Sequence, residues 1–431
     1  MTSFMAEAHQ NEYLPPGAST VGAIVTVTAA GGGDVDRVAP MAAGAGAAEI
    51  VIVDTSKSMD VPRTKIRAAR EATAVAIDCI RDGVAFGVIA GTNRASDVYP
   101  RTGRLAISSP ATRDQARAEV SRLSASGGTA IGSWLRRAGE LFAAAPPGVH
   151  HAILLTDGEN EHETPAELDD ALAALEGRFQ CDCRGVGTDW ELSELRRVAS
   201  ALLGSVDIIA DPSAMVADFR AMTETAMGRA TGDVSLRLWT PRGATVAFVR
   251  QVAPTIEDLT DRARPVDALT ADYPTGAWGE EARDYHVGIE VDPRGIGEEM
   301  LAARVGLVVG GEVCSQALVR AIWTDDEERS TAINREVAHY TGQAELAEAI
   351  QEGLEARRAG DAGTATLRLG RAVALASEGG NDATLKLLAA VVEVDDPVAG
   401  TVRLRPAVTE ADEMTLDTRS TKTVRVRPGP S

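Results

Sequence analysis

The stretch Ala48-Glu-Ile-Val-Ile-Val-Asp-Thr-Ser-Lys-Ser-Met-Asp60 decides the fold. Ile50 to Val53 is an uninterrupted β-branched run, as expected of a parallel strand covered on both faces. It ends at Asp54, and Ser56 and Ser58 follow at two-residue steps. In extended chain, residues i, i+2 and i+4 point to the same side. One carboxylate and two hydroxyls therefore converge just past the carboxyl end of a buried strand. A hard cation such as Mg²⁺ takes oxygen ligands in octahedral array and usually keeps some waters. Taken alone, the Asp-x-Ser-x-Ser pattern also fits a plain turn.

Outward from this segment, short apolar runs recur at Val84–Ala90, Ala152–Leu155, Phe179–Val186 and Val206–Ile209. Helical patterns separate them. Ile66, Ala69, Thr73, Ala76, Ile77 and Ile80 share one helical face, with Arg67, Arg70, Glu71 and Asp78 on others. Thr164-Pro-Ala-Glu167 is a capping box with proline at the first helical position. Alternating β and α units predict an α/β domain with a doubly wound, mostly parallel sheet. Ligands of such a sheet bind outside the carboxyl ends of its strands.

Two more segments bear on that edge. Ser126-Gly-Gly-Thr129 precedes a helix starting near Ile131, and His151-Ala-Ile-Leu-Leu-Thr-Asp157-Gly158 is a second buried strand ending in aspartate. Together with Asp54-x-Ser56-x-Ser58, these segments resemble the von Willebrand factor A (VWA) family, in particular its bacterial cytoplasmic multidomain members. The resemblance covers about residues 47–230 and implies a Rossmann-like fold. It also implies an intact metal-ion-dependent adhesion site formed by Asp54, Ser56, Ser58, Thr129 and Asp157. The family's site holds Mg²⁺ or Mn²⁺ and leaves a coordination position for an Asp or Glu of a protein partner. No general base, nucleophile–histidine pair or phosphate loop lies near these residues, and Mg²⁺ activates water far less than Zn²⁺ does. The reading is of a protein-interaction module, an assembly or signalling scaffold, and not an enzyme. The alternative is a non-catalytic subunit of an ATPase-linked remodelling or metal-insertion complex. Any nucleotide chemistry would then be external, since the sequence has no G-x-x-x-x-G-K-[ST] loop.

The remaining chain reads as separate parts. Residues 1–18 read as a flexible arm, broken by Pro15 and Pro16. Val21–Thr28, followed by the glycine run Gly31–Gly33, and the β-rich segment 231–328 read as one β-sandwich. Its parts are assigned to residues 19–46 and 231–328, which makes the VWA segment an insertion. Leucine-rich helical patterning over 329–394 reads as a helical bundle, and 395–431 as a mobile polar tail. In that tail Thr415, Thr418, Thr421 and Thr423 lie among arginines, which suggests a Ser/Thr kinase and a phosphothreonine reader as further partners.

A net charge of −20 argues against nucleic-acid or anionic-membrane partners, which need a basic face. Four cysteines without regular spacing give no disulfide framework. Cys181 and Cys183 read as buried strand residues. His162 reads as part of a solvated loop, with the rim of the metal site as the alternative. With neither a signal sequence nor an apolar span, the expected location is cytoplasmic.

Overall fold

The computed structural model describes residues 2–31 and 46–425. These form two compact units. Residues 46–232 with 276–279 make one, and the described segments on either side of it in sequence make the other. The junction assigned to the end of residues 19–46 falls largely on 32–45, outside the described residues.

The chain opens with β1 (Thr2–Gln10), β2 (Tyr13–Leu14) and β3 (Thr20–Gly31). The inserted unit follows as β4 (Gly46–Asp54), α1 (Thr64–Cys79), β5 (Ala85–Gly91), β6 (Ala95–Tyr99), β7 (Ala106–Ile107), α2 (Pro110–Val120), α3 (Ile131–Ala143) and β8 (Gly148–Thr156). It continues through α4 (Pro165–Leu175), β9 (Gln180–Val186), α5 (Leu192–Ala201), β10 (Val206–Ile209) and α6 (Met215–Gly228). The sheet order is β10-β9-β8-β4-β5-β6, with β7 paired to β5. Strands β10, β9, β8, β4 and β5 are parallel, and β6 and β7 are antiparallel additions at one edge. This is the α/β doubly wound sheet expected from the sequence. Val51 and Val53 face a core shared with Ile66, Ala69 and Ile77 of α1 and Phe219 of α6. Ile50 and Ile52, pointing oppositely, are also fully buried. Thr164 and Glu167 close the capping box: Glu167 N–H donates to Thr164 Oγ1 at 3.3 Å, and Thr164 N–H donates to Glu167 Oε2 at 2.8 Å.

The other unit resumes with β11 (Thr231–Trp239), β12 (Ala244–Ala253), β13 (Glu257–Asp258), β14 (Arg264–Asp267), β15 (Thr270–Trp278), β16 (Ala282–Val291), β17 (Glu299–Val309) and β18 (Glu312–Trp323). Two sheets result, ordered β1-β3-β16-β12-β13 and β14-β15-β11-β17-β18-β2. Helices α7 (Glu327–Ser330), α8 (Arg335–Arg358), α9 (Ala362–Glu378) and α10 (Asp382–Val391) come next, then β19 (Val392–Asp396), β20 (Thr401–Leu404) and α11 (Glu410–Arg419). Leu346, Ile350, Leu354, Leu369, Val373 and Leu388 form the helical core, whereas Leu367 is 71% exposed.

Two expectations need correction. The N-terminal arm is a strand: β1 pairs antiparallel with β3 from Thr2↔Gly31 to Gln10↔Ala23, so its backbone polar groups are held by a long ladder. The C-terminal tail is likewise not a mobile polar segment over 395–425. Met414 and Leu416 of α11 are buried, and Arg357 and Arg358 of α8 pair with Glu413 and Asp417. Thr418 is 2% exposed, Thr415 and Thr418 hydroxyls bond back to Ala411 and Met414 carbonyls, and Thr423 Oγ1 donates to Val252 O at 2.6 Å. A kinase needs an accessible, extendable threonine, so Thr415, Thr418 and Thr423 lose the premise on which phosphorylation was inferred. Residues 426–431 of that tail lie outside the described residues. Among the described residues no helix is long and apolar enough to cross a membrane.

Candidate metal centre

Asp54 ends β4 and is fully buried. Its two oxygens are both engaged: Ser56 N–H donates to Oδ1 at 2.7 Å and the Thr156 hydroxyl donates to Oδ2 at 2.6 Å. Ser56 Oγ lies 2.8 Å from Ser58 Oγ, and the Ser58 hydroxyl donates to Asp157 Oδ1 at 2.7 Å. A single hydrogen-bonded chain thus runs from Ser56 through Ser58 to Asp157, beside the Asp54 carboxylate. Each carboxylate oxygen has two acceptor directions, so a carboxylate that holds such hydrogen bonds can still offer an oxygen to a cation.

Thr129 joins from the glycine loop. Gly127 has φ +76, a left-handed conformation open to glycine at little cost, and this turns the chain toward the β4–α1 loop. Ser126 N–H donates to Thr55 O at 2.7 Å and Lys57 N–H to Gly127 O at 3.1 Å, which locks the two loops together. The Ser58 and Thr129 hydroxyls both lie beside Gly158: a Cβ there would lie 3.3 Å from Ser58 Oγ and 3.4 Å from Thr129 Oγ1. The loop after Asp157 then caps α3. Ile131 N–H donates to Asn160 Oδ1 at 2.9 Å and Gly132 N–H to Glu163 Oε2 at 2.7 Å, while His162 N–H donates to Thr129 O at 3.0 Å. His162 is exposed with Nδ1 3.4 Å from Thr129 N, so its ring lies against the loop that carries Thr129.

All five residues singled out from the sequence therefore stand at the end of β4 or on the three neighbouring loops at the carboxyl edge of β4 and β8. Four residues were not singled out. Thr156 orients Asp54, and Asn160 and Glu163 cap the helix behind Thr129. The fourth is Lys65 in the first turn of α1, whose ammonium donates to Asp157 Oδ2 at 2.8 Å and to Asp189 Oδ2 at 3.2 Å. A hydroxyl residue immediately before the strand-ending aspartate is a usable signal for Thr156. A lysine at a helix start gives none, because that position is normally solvated.

Burial pushes the Asp54 carboxyl up to about 6, against the hydrogen bonds from Ser56 and Thr156 that favour its charged form. Burial lowers Lys65, but the hydrogen bonds and charges of Asp157 and Asp189 outweigh it and hold the ammonium above its ordinary value. A buried carboxylate pair with three hydroxyls is a hard, all-oxygen donor set. Among the described residues no group of three or more His, Cys, Asp or Glu side chains is arranged so as to hold a metal ion. A cavity of about 1070 Å³, lined by residues such as Tyr13, Asn334, His339 and Arg371, belongs to the other unit and touches none of the five.

The family model of the von Willebrand factor type A domain matches residues 48–208, and that of the von Willebrand factor type A C-terminal domain matches 374–420. The solved structure of a von Willebrand factor type A protein from Catenulispora acidiphila is 50% identical, with 99% of this chain and 98% of that one covered, and superposes with a TM-score of 0.93. The ArnB paralog VWA2 from Sulfolobus acidocaldarius shares the fold, at 15% identity and a TM-score of 0.58 over 99% of this chain and all of that one. An uncharacterised Synechocystis protein is 29% identical over 217 residues, about half the length of each chain. Near-complete coverage at half identity places this chain in the von Willebrand factor type A family.

Proposed function

We propose that the loops around Asp54 form a metal-ion-dependent adhesion site that captures an Asp or Glu side chain of a protein partner. VWA domains are generally protein-interaction modules, and this reading names the residues that would do the work here. The observation that carries it is the convergence of Asp54, Ser56, Ser58 and Asp157 in one hydrogen-bonded cluster, with the Ser58 and Thr129 hydroxyls both beside Gly158. The donor set fits Mg²⁺ or Mn²⁺ by hardness.

Ser56, Ser58 and Thr129 would supply neutral oxygens, and Asp54 and Asp157 the negative charge. When bound, the ion supplies a positive centre with a position open to an anionic oxygen. Thr156 and the Ser56 amide hold Asp54 in orientation, and the cross-linked loops fix the hydroxyls before any ligand arrives. The site then loses little entropy on binding.

Calorimetric titration of Mg²⁺ into the full chain tests this. The wild-type protein should bind one ion, and Asp54→Ala and Ser56→Ala should lose that binding while keeping their circular dichroism spectra. Unchanged binding in both variants would place the ion elsewhere. Capture of any partner should be abolished by EDTA and restored by Mg²⁺.

A further inference from the structure

Lys65 is out of place for a cation site. Its side chain is only 7% exposed, and its ammonium sits 2.8 Å from Asp157 Oδ2, an atom of a fully buried carboxylate. The second partner, Asp189, is 72% exposed and so is largely screened by water. The effective pairing is with Asp157. Asp157 Oδ1 meanwhile accepts the Ser58 hydroxyl, so the ammonium and the proposed ligand cluster are joined through one carboxylate. The lysine stem runs beside Gly187, where a Cβ would lie 3.6 Å from Cε and 3.8 Å from Nζ.

The charges can be counted. Asp54 and Asp157 carry two negative charges, which a divalent ion cancels, and Lys65 then leaves the cluster with a net positive charge. Such a site holds a cation less tightly than its carboxylates alone would, and attracts an anionic oxygen more strongly. We propose that Lys65 makes tight cation binding at this site conditional on an anionic ligand. This rests on the metal-site reading given above. By linkage, whatever the anion gains from the cation the cation gains from the anion, so ion and partner carboxylate would be retained together.

The test is Mg²⁺ titration of the full-length protein and its Lys65→Met and Lys65→Arg variants, in sodium acetate and in sodium chloride of equal ionic strength. In chloride, Lys65→Met should bind Mg²⁺ on the order of tenfold more tightly than wild type, the effect of removing one nearby partly buried positive charge. Acetate should tighten Mg²⁺ binding in the wild type and in Lys65→Arg, and do so less in Lys65→Met. A purely structural salt bridge predicts instead that Lys65→Met unfolds or binds Mg²⁺ more weakly, and either result would overturn the proposal. So would equal Mg²⁺ affinities in wild type and Lys65→Met. Failure of every variant to bind Mg²⁺ in both salts would remove the metal-site reading itself.

Discussion

Asp54 couples the metal site to protons. Its carboxyl is pushed up to about 6 by burial, and a metal ligand must be deprotonated to bind. Mg²⁺ affinity should therefore be flat near neutral pH and fall about tenfold per unit below pH 6, one proton being displaced per ion. Titrations at about pH 7.5 and about pH 5 would show this; a pH-independent affinity would mean that Asp54 is not a ligand. Thr156→Val removes the hydroxyl that orients Asp54. It should weaken Mg²⁺ binding by roughly 10–100-fold, the usual effect of losing a group that orients a ligand, and lower the stability of the metal-free protein by about 1–3 kcal/mol, because a buried carboxylate oxygen loses its donor. Gly158→Ala places a methyl 3.3–3.4 Å from two hydroxyl oxygens, and should likewise reduce affinity without unfolding the chain. At this scale the sequence is informative where types and spacing repeat a pattern, as for Asp54, Ser56 and Ser58. It is silent on Lys65, because whether a lysine points into a protein depends on what the rest of the fold places around it.

At the scale of elements, buried runs are easy to read and supported edges are not. Ile50–Val53 and Ala152–Leu155 declare themselves by uninterrupted apolar character and appear as β4 and β8. Strand β6, Ala-Ser-Asp-Val-Tyr, buries only Val98 and reads as a loop until β5 is present to pair with it. Strand β1 alternates half-buried Phe4 and Ala6 with exposed Ser3, Met5 and Glu7, a weak signal that becomes a strand through its ladder with β3. The C-terminal helix is similar. Its composition is polar, yet Leu416 joins the helical core and Met414 is buried, while Thr409 caps it by accepting from Asp412 N–H at 3.1 Å. Leu416→Ala should therefore destabilise the protein by roughly 2–4 kcal/mol in denaturant titrations, as for a buried leucine. A change within about 0.5 kcal/mol, ordinary for a surface site, would mean that α11 is undocked in solution.

For the molecule as a whole, stability should carry the mark of a charged ladder buried across three parallel strands. His151 on β8 contacts Glu49 on β4 at 2.9 and 3.0 Å and Asp182 on β9 at 2.9 Å, with Arg229 3.8 Å from Asp182. Burial alone would lower His151, but Glu49 and Asp182 raise it from 6.5 to about 9. Burial likewise lifts Glu49, whereas the His151 hydrogen bond and the Arg229 and Arg184 charges overcome burial and hold Asp182 far below the usual carboxylate range. Since the folded value of His151 exceeds the unfolded one, its stabilisation is complete below about pH 6.5 and is lost as pH rises through about 9. The contribution is on the order of 3 kcal/mol. Thermal unfolding of the wild type should thus weaken across that alkaline window, and His151→Gln should flatten the slope.

The most direct test of the account is crystallographic. Crystals of the full chain grown with Mn²⁺ should show an anomalous peak bounded by the oxygens of Asp54, Ser56, Ser58, Thr129 and Asp157, and crystals of Asp54→Ala should lack it. A site empty at saturating Mn²⁺ in the wild type, or Mn²⁺ bound only at other residues, would contradict the central claim.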